Sequence, residues 1–514
     1  MIRLVESLNQ LSDKSTGITH ACAKLGRQHF FVFVGKIDYK TYLYSMYQSK
    51  LISLFCTLSA TERRRFKKWI NSPIHNFNSR LSEFYEFLDT RQNFSERVLK
   101  REKVFESIFK GEVYDDLKIR RLMSEFLGVL EEFLAHETWQ NNPADQWLLL
   151  AKIYRQRQLS SDATAYLTKA EQALDHQPLR DAQYFLNHYR LQEERLAQNP
   201  ARDSALNLQE MADELTLFFV AELLRNACSA ASHAAIYRTE YHLPYLEVVL
   251  VDCAAGRYNK APLIRLYFHS YQCLSTKTAD DHFFAYKKLL PEAAGWLSKA
   301  ELRDVLLFGI NYCIRRLNTD EPAFLRDVFD LYCLGLAAET FLENGFLSRF
   351  SYKNMVAAAL KLGEIAWVEQ FLETYSPLLS PEFRQHYERF CRAKLYYQKG
   401  DYGQVQTLLH DLSFDDVFLE LDARVSLMKV YFETAEWRLL EGFLTSFERF
   451  VSRKKMLVYH APTYRNIIQF ASKLMLWKSG KRPFSVEELE NLRHQISAAK
   501  PLTEREWLLE MAKA

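Results

Sequence analysis

At 514 residues the chain is too long for one small hydrophobic core, and 48% hydrophobic with 25% charged residues excludes a disordered polymer. Only 15 glycines and 13 prolines punctuate it, less than half the usual share, which argues against a hairpin-rich β protein and for long helices joined by short turns. With 67 Lys+Arg against 64 Asp+Glu the formal charge is +3, too small for a protein built around one large phosphate-binding surface, although a local patch can hide in the sum.

Residues 1–45 differ in texture from the rest of the chain, with Gly17, Gly26, Gly35 and a short β-like "HFFVFVG" at 29–35. They are expected to form a poorly ordered N-terminal extension, with Met46 as an alternative start; FFVFV reads equally as a strand or as a helix packed on the first domain. "MIRLVESLNQLSDKSTG" has no apolar run long enough for a signal peptide, and HFFVFVG is too short to span a membrane. The eight cysteines, at 22, 56, 228, 253, 273, 313, 333 and 391, never approach CxxC spacing, so zinc-ribbon and thioredoxin-like sites are not expected. A soluble cytoplasmic protein with reduced thiols is the expectation.

Residues 46–140 predict an N-terminal helical unit, with helices at 46–57, 60–71, 78–90, 95–109 and 116–138. Within it, "TERRRFKKWINSP" is the most function-like string in the chain. Ser59-x-x-Glu62 is a capping box that opens its helix, and Asn71-Ser72-Pro73 closes it because the residue before proline is pushed out of helical geometry. At about 100° per residue, Phe66, Trp69 and Ile70 form one apolar stripe while Arg63, Arg64, Arg65, Lys67 and Lys68 cover the remaining face. Such a face is either ordinary solvated surface or a patch for nucleic acid or an acidic partner. Residues 46–135 carry 16 Lys/Arg against 13 Asp/Glu, with Glu83, Glu86 and Asp89 placed to neutralise it. Base-stacking aromatics would have to share the basic face, and Phe66 and Trp69 do not. The solvated face is the preferred reading.

Residues 141–345 predict TPR-like helix pairs, degenerate in part. "WLLLAKIYRQRQLSSDATAYLTKA" sets Trp147, Leu150, Ala151, Tyr154, Ala163, Leu167 and Ala170 in the tetratricopeptide register, where small residues let two helices approach and large ones fill the gap between pairs. Residues 346–477 repeat the idea. "AKLYYQKGDYGQVQTLL" and "MKVYFETAEWRLLEGFL" place Tyr396 and Tyr431, and likewise Tyr402 and Trp437, 35 residues apart. Upstream, "AALKLGEIAWVEQFL" fits less well, with Gly363 lying 37 residues before Gly400. At 478–514, Ser485-x-x-Glu488 and Thr503-x-x-Glu506 predict two capping-box helices that cover the last repeat. The fold class is therefore all-α, a right-handed α-α superhelix of TPR-like pairs behind a helical N-terminal unit.

"FGINYCIRRLN", "YKNMVAAALKLGEIAWVEQF", "LDARVSLMKVYFETAEW", "FLTSFERFVSRKKML" and "PLTEREWLLE" resemble an uncharacterised family of long TPR-like proteins of Bacteroidota bacteria, from about residue 46 to the C-terminus. The resemblance implies a helical-repeat fold and a bacterial cytoplasmic setting. It implies no activity and no functional residues.

Chemistry is sparse. The closest glycines, Gly400 and Gly403, are three apart, so neither the dinucleotide fingerprint nor the P-loop occurs, and HExxH and GxSxG are missing. His136-Glu137 and His410-Asp411 are adjacent on helices and point about 100° apart, poorly placed to share a metal. Asp415-Asp416 with Glu420 and Asp422 could bind a cation but reads better as the acidic start of a helix. The expectation is a protein with no catalytic constellation, cofactor or metal. In TPR arrays the first helix of each pair lines the concave surface; the equivalent inward positions are Lys152, Lys394 and Lys429, with Tyr397 and Phe432 beside the last two. Cations interleaved with aromatics would suit an acidic, partly apolar peptide, against the plain alternative of soluble helix surface. A protein-binding scaffold is the expected function, with a nucleic-acid-associated factor using residues 63–68 as the alternative.

Overall fold

The computed structural model describes residues 46–91, 94–198, 207–237, 239–317, 319, 321–343, 345–411, 416–453 and 461–513. The expectations for residues 1–45, their FFVFV segment and Asp415 lie outside the described residues. The architecture is all-helical, as the low glycine and proline content requires. The chain divides into two compact units: the first runs to Gln177 and includes Gln183–Thr216, the second comprises Pro178–Ala182 and Leu217 onward.

In chain order the first helices are α1 (Lys50–Cys56), α2 (Ala60–Ile70), α3 (Ser79–Asp89), α4 (Arg101–Ile108), α5 (Asp116–Gln140), α6 (Pro143–Gln156), α7 (Ser160–Asp175) and α8 (Ala182–Gln198). The boundary between the units falls within α9 (Leu208–Tyr237). Then come α10 (Leu246–Ala254), α11 (Pro262–Ser275), α12 (Asp280–Ala293), α13 (Lys299–Leu317) and α14 (Phe324–Ala337). A two-residue hairpin, β1 (Leu342–Glu343) with β2 (Phe346–Leu347), departs from the all-helical expectation. The chain ends with α15 (Arg349–Lys361), α16 (Ile365–Tyr375), α17 (Pro381–Gln398), α18 (Tyr402–Leu409), α19 (Val417–Glu433), α20 (Trp437–Arg453), α21 (Ala461–Lys478), α22 (Val486–Ala498) and α23 (Arg505–Met511). No helix among the described residues is long and apolar enough to cross a membrane.

The basic helix α2 forms as its sequence dictates. Ser59 Oγ accepts from the Glu62 amide at 3.2 Å and the Ser59 amide donates to Glu62 Oε2 at 2.7 Å, closing the capping box. Asn71 caps the other end, before Pro73. Phe66 and Ile70 are fully buried in a core drawn from α1 to α5, where the Phe66 ring meets Tyr85, Phe126 and Phe133 at 5.2 to 5.6 Å. Trp69 is half-buried, against Phe133 and stacked on His75 at 3.5 Å.

Helices α6 and α7 pack where their side chains are smallest: Ala151, Ala163 and Ala170 are wholly buried, with Leu167 and Leu174 beside them. The turn joining them holds Gln158 at φ 63°, with the Leu159 amide reaching back to the Tyr154 carbonyl. This left-handed closing turn recurs. Gly363 between α15 and α16, Gly400 between α17 and α18, and Ala435 between α19 and α20 have φ of 78°, 76° and 56°. In each, the amide of the following residue bonds a carbonyl five residues back: Glu364 to Ala359, Asp401 to Tyr396 and Glu436 to Tyr431. The poorly matching 363 unit thus shares the turn of the two that match well, and the first helices α15, α17 and α19 pack side by side.

Glycine occupies the left-handed position without a Cβ clash, whereas alanine at 435 carries a cost of about 1 kcal/mol. Ala435→Gly is therefore expected to stabilise the second unit by roughly 0.5–1 kcal/mol, read as a higher urea midpoint. A lower midpoint would show that the alanine methyl does more packing than the turn suggests.

Of the two capping boxes expected at the C-terminus, Ser485 with Glu488 forms. The one at Thr503 does not. Helix α23 starts at Arg505, after Glu504 at φ 55°, because the Glu504 carboxylate is drawn to Lys429 on α19 instead of being held by a local cap.

Candidate functional site

Three consecutive first helices of the second unit each contribute one lysine to a single cluster: Lys353 from α15, Lys394 from α17 and Lys429 from α19. Lys353 Nζ reaches Asp422 of α19 at 2.8 Å, and Lys429 Nζ reaches Glu504 at 2.9 Å. Both lysines are well enclosed, Lys353 with a side chain 13% exposed and Lys429 at 8% overall. Burial alone would raise both carboxyls, but Lys353 at Asp422 and Lys429 with Lys394 at Glu504 outweigh it and hold them below the ordinary range. Lys394 makes no direct ion pair among the described residues, and the carboxylates that act on it, Glu504 and Asp422, are bonded to the other two lysines. Its ammonium lies 5.6 Å from the Phe390 ring. Burial, with Lys429 and Lys353 nearby, pulls its pKa below the usual lysine range against the opposing pull of Glu504 and Asp422.

An aromatic border surrounds the cluster. Glu433 Oε1 accepts from the Tyr397 hydroxyl and from Trp507 Nε1, the latter at 2.6 Å, and its Oε2 accepts from Tyr402 at 2.5 Å. The hydrogen bond to Glu433, with burial, pushes Tyr402 up to about 12. Phe432 is buried between Trp437 and Trp507, both at 5.4 Å. Lys429 Nζ lies 4.6 Å from the Tyr397 ring centroid and 5.6 Å from that of Trp507.

Four of the five residues expected to line a groove, Lys394, Tyr397, Lys429 and Phe432, are therefore brought together. The fifth, Lys152, is an exposed residue of α6 in the first unit. Three of the four are already engaged: Tyr397 by Glu433, Lys429 by Glu504, Phe432 by Trp507. The segment Glu504-Arg505-Glu506-Trp507, itself acidic and aromatic, occupies Lys429 and Phe432, while Tyr397 is held by Glu433 of α19. Lys353, Glu433, Glu504 and Trp507 are not distinguished by sequence, and Asp422 stands out there only as a candidate cation ligand. Lys353 lies one helical turn before the position equivalent to Lys394, and the other four become members only through contacts made on folding.

The basic face of α2 is partly consumed. Arg65 pairs with Glu137 at 2.6 Å and Lys67 with Glu86 at 2.8 Å. The Arg63 guanidinium lies over Phe55 at 4.9 Å. Only Arg64 and Lys68 are exposed cations of this face without a carboxylate among the described residues.

The residues weighed for metal binding are engaged otherwise. His136 packs on Trp69, Asp416 caps α19 and accepts from Tyr387, and Glu420 pairs with Arg424. No group of three or more His, Cys, Asp or Glu among the described residues is placed to hold a metal ion. No family model, curated protein or solved structure matches the chain.

Proposed function

We propose that the protein is a non-enzymatic binding scaffold, a right-handed TPR-like array that accepts an acidic, partly apolar segment of a partner protein on its lysine-bearing first helices. The observation that carries this reading is Lys394. It is a desolvated cation whose nearby carboxylates, Glu504 and Asp422, are already ion-paired to Lys429 and Lys353. An unpaired buried charge costs stability, and such costs are retained where a ligand uses them. The chain's own Glu504 and Trp507 illustrate the chemistry this face accepts: a carboxylate on lysine and an indole on a phenylalanine. The proposed setting is a bacterial cytoplasm, and the proposed kinship is with the TPR-like Bacteroidota family.

A nucleic-acid-associated role through residues 63–68 is the weaker reading, because two of its five cations are neutralised and a third lies against a ring.

Affinity capture with parent and Lys394→Met baits tests the scaffold. The substitution keeps the volume and removes the charge, so the variant is expected to fold at least as stably and to lose acidic partners. Identical partner lists from the two baits would remove Lys394 from the site.

A further inference from the structure

Elsewhere in the second unit a cavity of about 450 Å³ opens between the C-terminal end of α10, the turn after it, and one end each of α11 and α12. Its lining is rich in hydrogen-bond donors. Arg265 and His269 lie four residues apart on α11, so they share a face, and His282 joins them from the first turn of α12. Tyr258 and Asn259 close the rim from the turn, where Gly256 has φ 80° and a Cβ added there would sit 2.7 Å from the side-chain Nδ2 of Asn259. Ile264 and Phe268 form an apolar wall.

The charge balance of this cavity is unusual. Arg265 is half-buried and has no carboxylate partner among the described residues. The nearby acids are otherwise placed: Asp252 pairs with Arg257 at 3.2 Å, and Asp281 lies beside His282 in the chain. His269 and His282 face each other Nδ1 to Nδ1 at 2.9 Å, so one donates, the other accepts, and no more than one of the two rings carries a charge. Burial, His282 and Arg265 push His269 down to about 4, and burial lowers His282 against the pull of Asp281. The Cys253 thiol, pushed up to about 11 by burial and Asp252, stays protonated and neutral. The cavity thus presents one uncompensated guanidinium and a histidine pair that a neighbouring negative charge would allow to take up one proton.

We propose that this cavity binds a small phosphate monoester, its dianionic phosphate held by Arg265 and the His269–His282 pair and its organic part against Ile264 and Phe268. A guanidinium matches phosphate oxygens in a two-pronged geometry, and an imidazole that gains a proton adds a charge-assisted bond. The volume exceeds what a bare phosphate fills and lies within the range of small-molecule sites.

The test is a calorimetric titration of the full chain with phenyl phosphate and with inorganic phosphate, alongside histidine-ring NMR. Phenyl phosphate is expected to bind roughly tenfold more tightly than inorganic phosphate, and Arg265→Gln to weaken it at least about tenfold. In the unmutated protein, saturating phenyl phosphate should move the titration of the histidine pair upward by about one pH unit or more. Binding undiminished by Arg265→Gln in a variant with parental circular dichroism, histidine titrations unmoved by ligand, or no binding at all would each overturn the site. Equal affinity for the two ligands would overturn its assignment to a monoester.

Discussion

Phe66→Ala is expected to destabilise the N-terminal helices by roughly 3–5 kcal/mol, measured by urea-dependent hydrogen exchange in peptides covering α2, α3 and α5. Phe66 is fully buried and its ring meets three other aromatic rings within 5.6 Å, so truncation removes their common partner and leaves a cavity rigid neighbours cannot fill. On the same helix, Arg64→Glu with Lys68→Glu should shift stability by no more than about 0.5 kcal/mol, since both side chains are exposed and neither meets a carboxylate among the described residues. That contrast is the physical content of calling α2 a docking element with a wet face. A large cost for the charge reversal, or a small one for Phe66→Ala, would invert the assignment.

Glu504→Ala is the second large effect, expected to cost about 3 kcal/mol in hydrogen exchange of α19 and α23. The loss comes less from the missing ion pair than from what stays behind: Lys429, 8% exposed, beside Lys394, which loses the nearby negative charge of Glu504 as well. Exchanging both partners, Lys429→Met with Glu504→Leu, should recover most of it, because two apolar side chains leave no orphan charge. Acid should act in the same direction. Glu504 and Asp422 have carboxyl pKa values lowered in the folded state, so their contribution is present above the unfolded carboxyl value of about 4 and is lost as pH falls through the folded values. Parent stability should therefore drop below about pH 4, and Glu504→Ala should flatten that acid limb.

What could be read from sequence was whatever is local or periodic. The Ser59 capping box needs four residues, the alanines of α6 and α7 declare their close approach by being alanines, and the 35-residue spacing of Tyr396 and Tyr431 marks equivalent turns. The 35-residue spacing likewise brought Lys394 and Lys429, with Tyr397 and Phe432 one turn further on, to one place. Lys152, at the equivalent position of α6, lies exposed on the other unit.

Long-range charge pairing was not legible. Arg65 finds Glu137 across 72 positions, Lys353 finds Asp422 across 69, and Lys429 finds Glu504 across 75. The last of these also explains the misplaced Thr503 cap: a partner on α19 outcompetes the local hydrogen bond. His269 and His282 form no motif, being 13 residues apart on two helices, and only packing sets their rings edge to edge.

In the proposed scaffold Lys394 is an open seat for a partner's carboxylate. Burial lowers its pKa, so its charged form costs stability at neutral pH, and that cost is relieved as pH rises through the folded value toward the ordinary lysine range. The decisive measurement is the affinity of acidic, tryptophan-containing peptides for parent and Lys394→Met in a fluorescence-anisotropy panel, with the urea midpoint of each protein alongside. Lys394→Met should be more stable by about 1 kcal/mol and should bind the selected peptides at least tenfold more weakly, roughly 1.4 kcal/mol. A variant that binds them as tightly as the parent, whatever its stability, would strip Lys394 of that role and leave the scaffold reading without its main support.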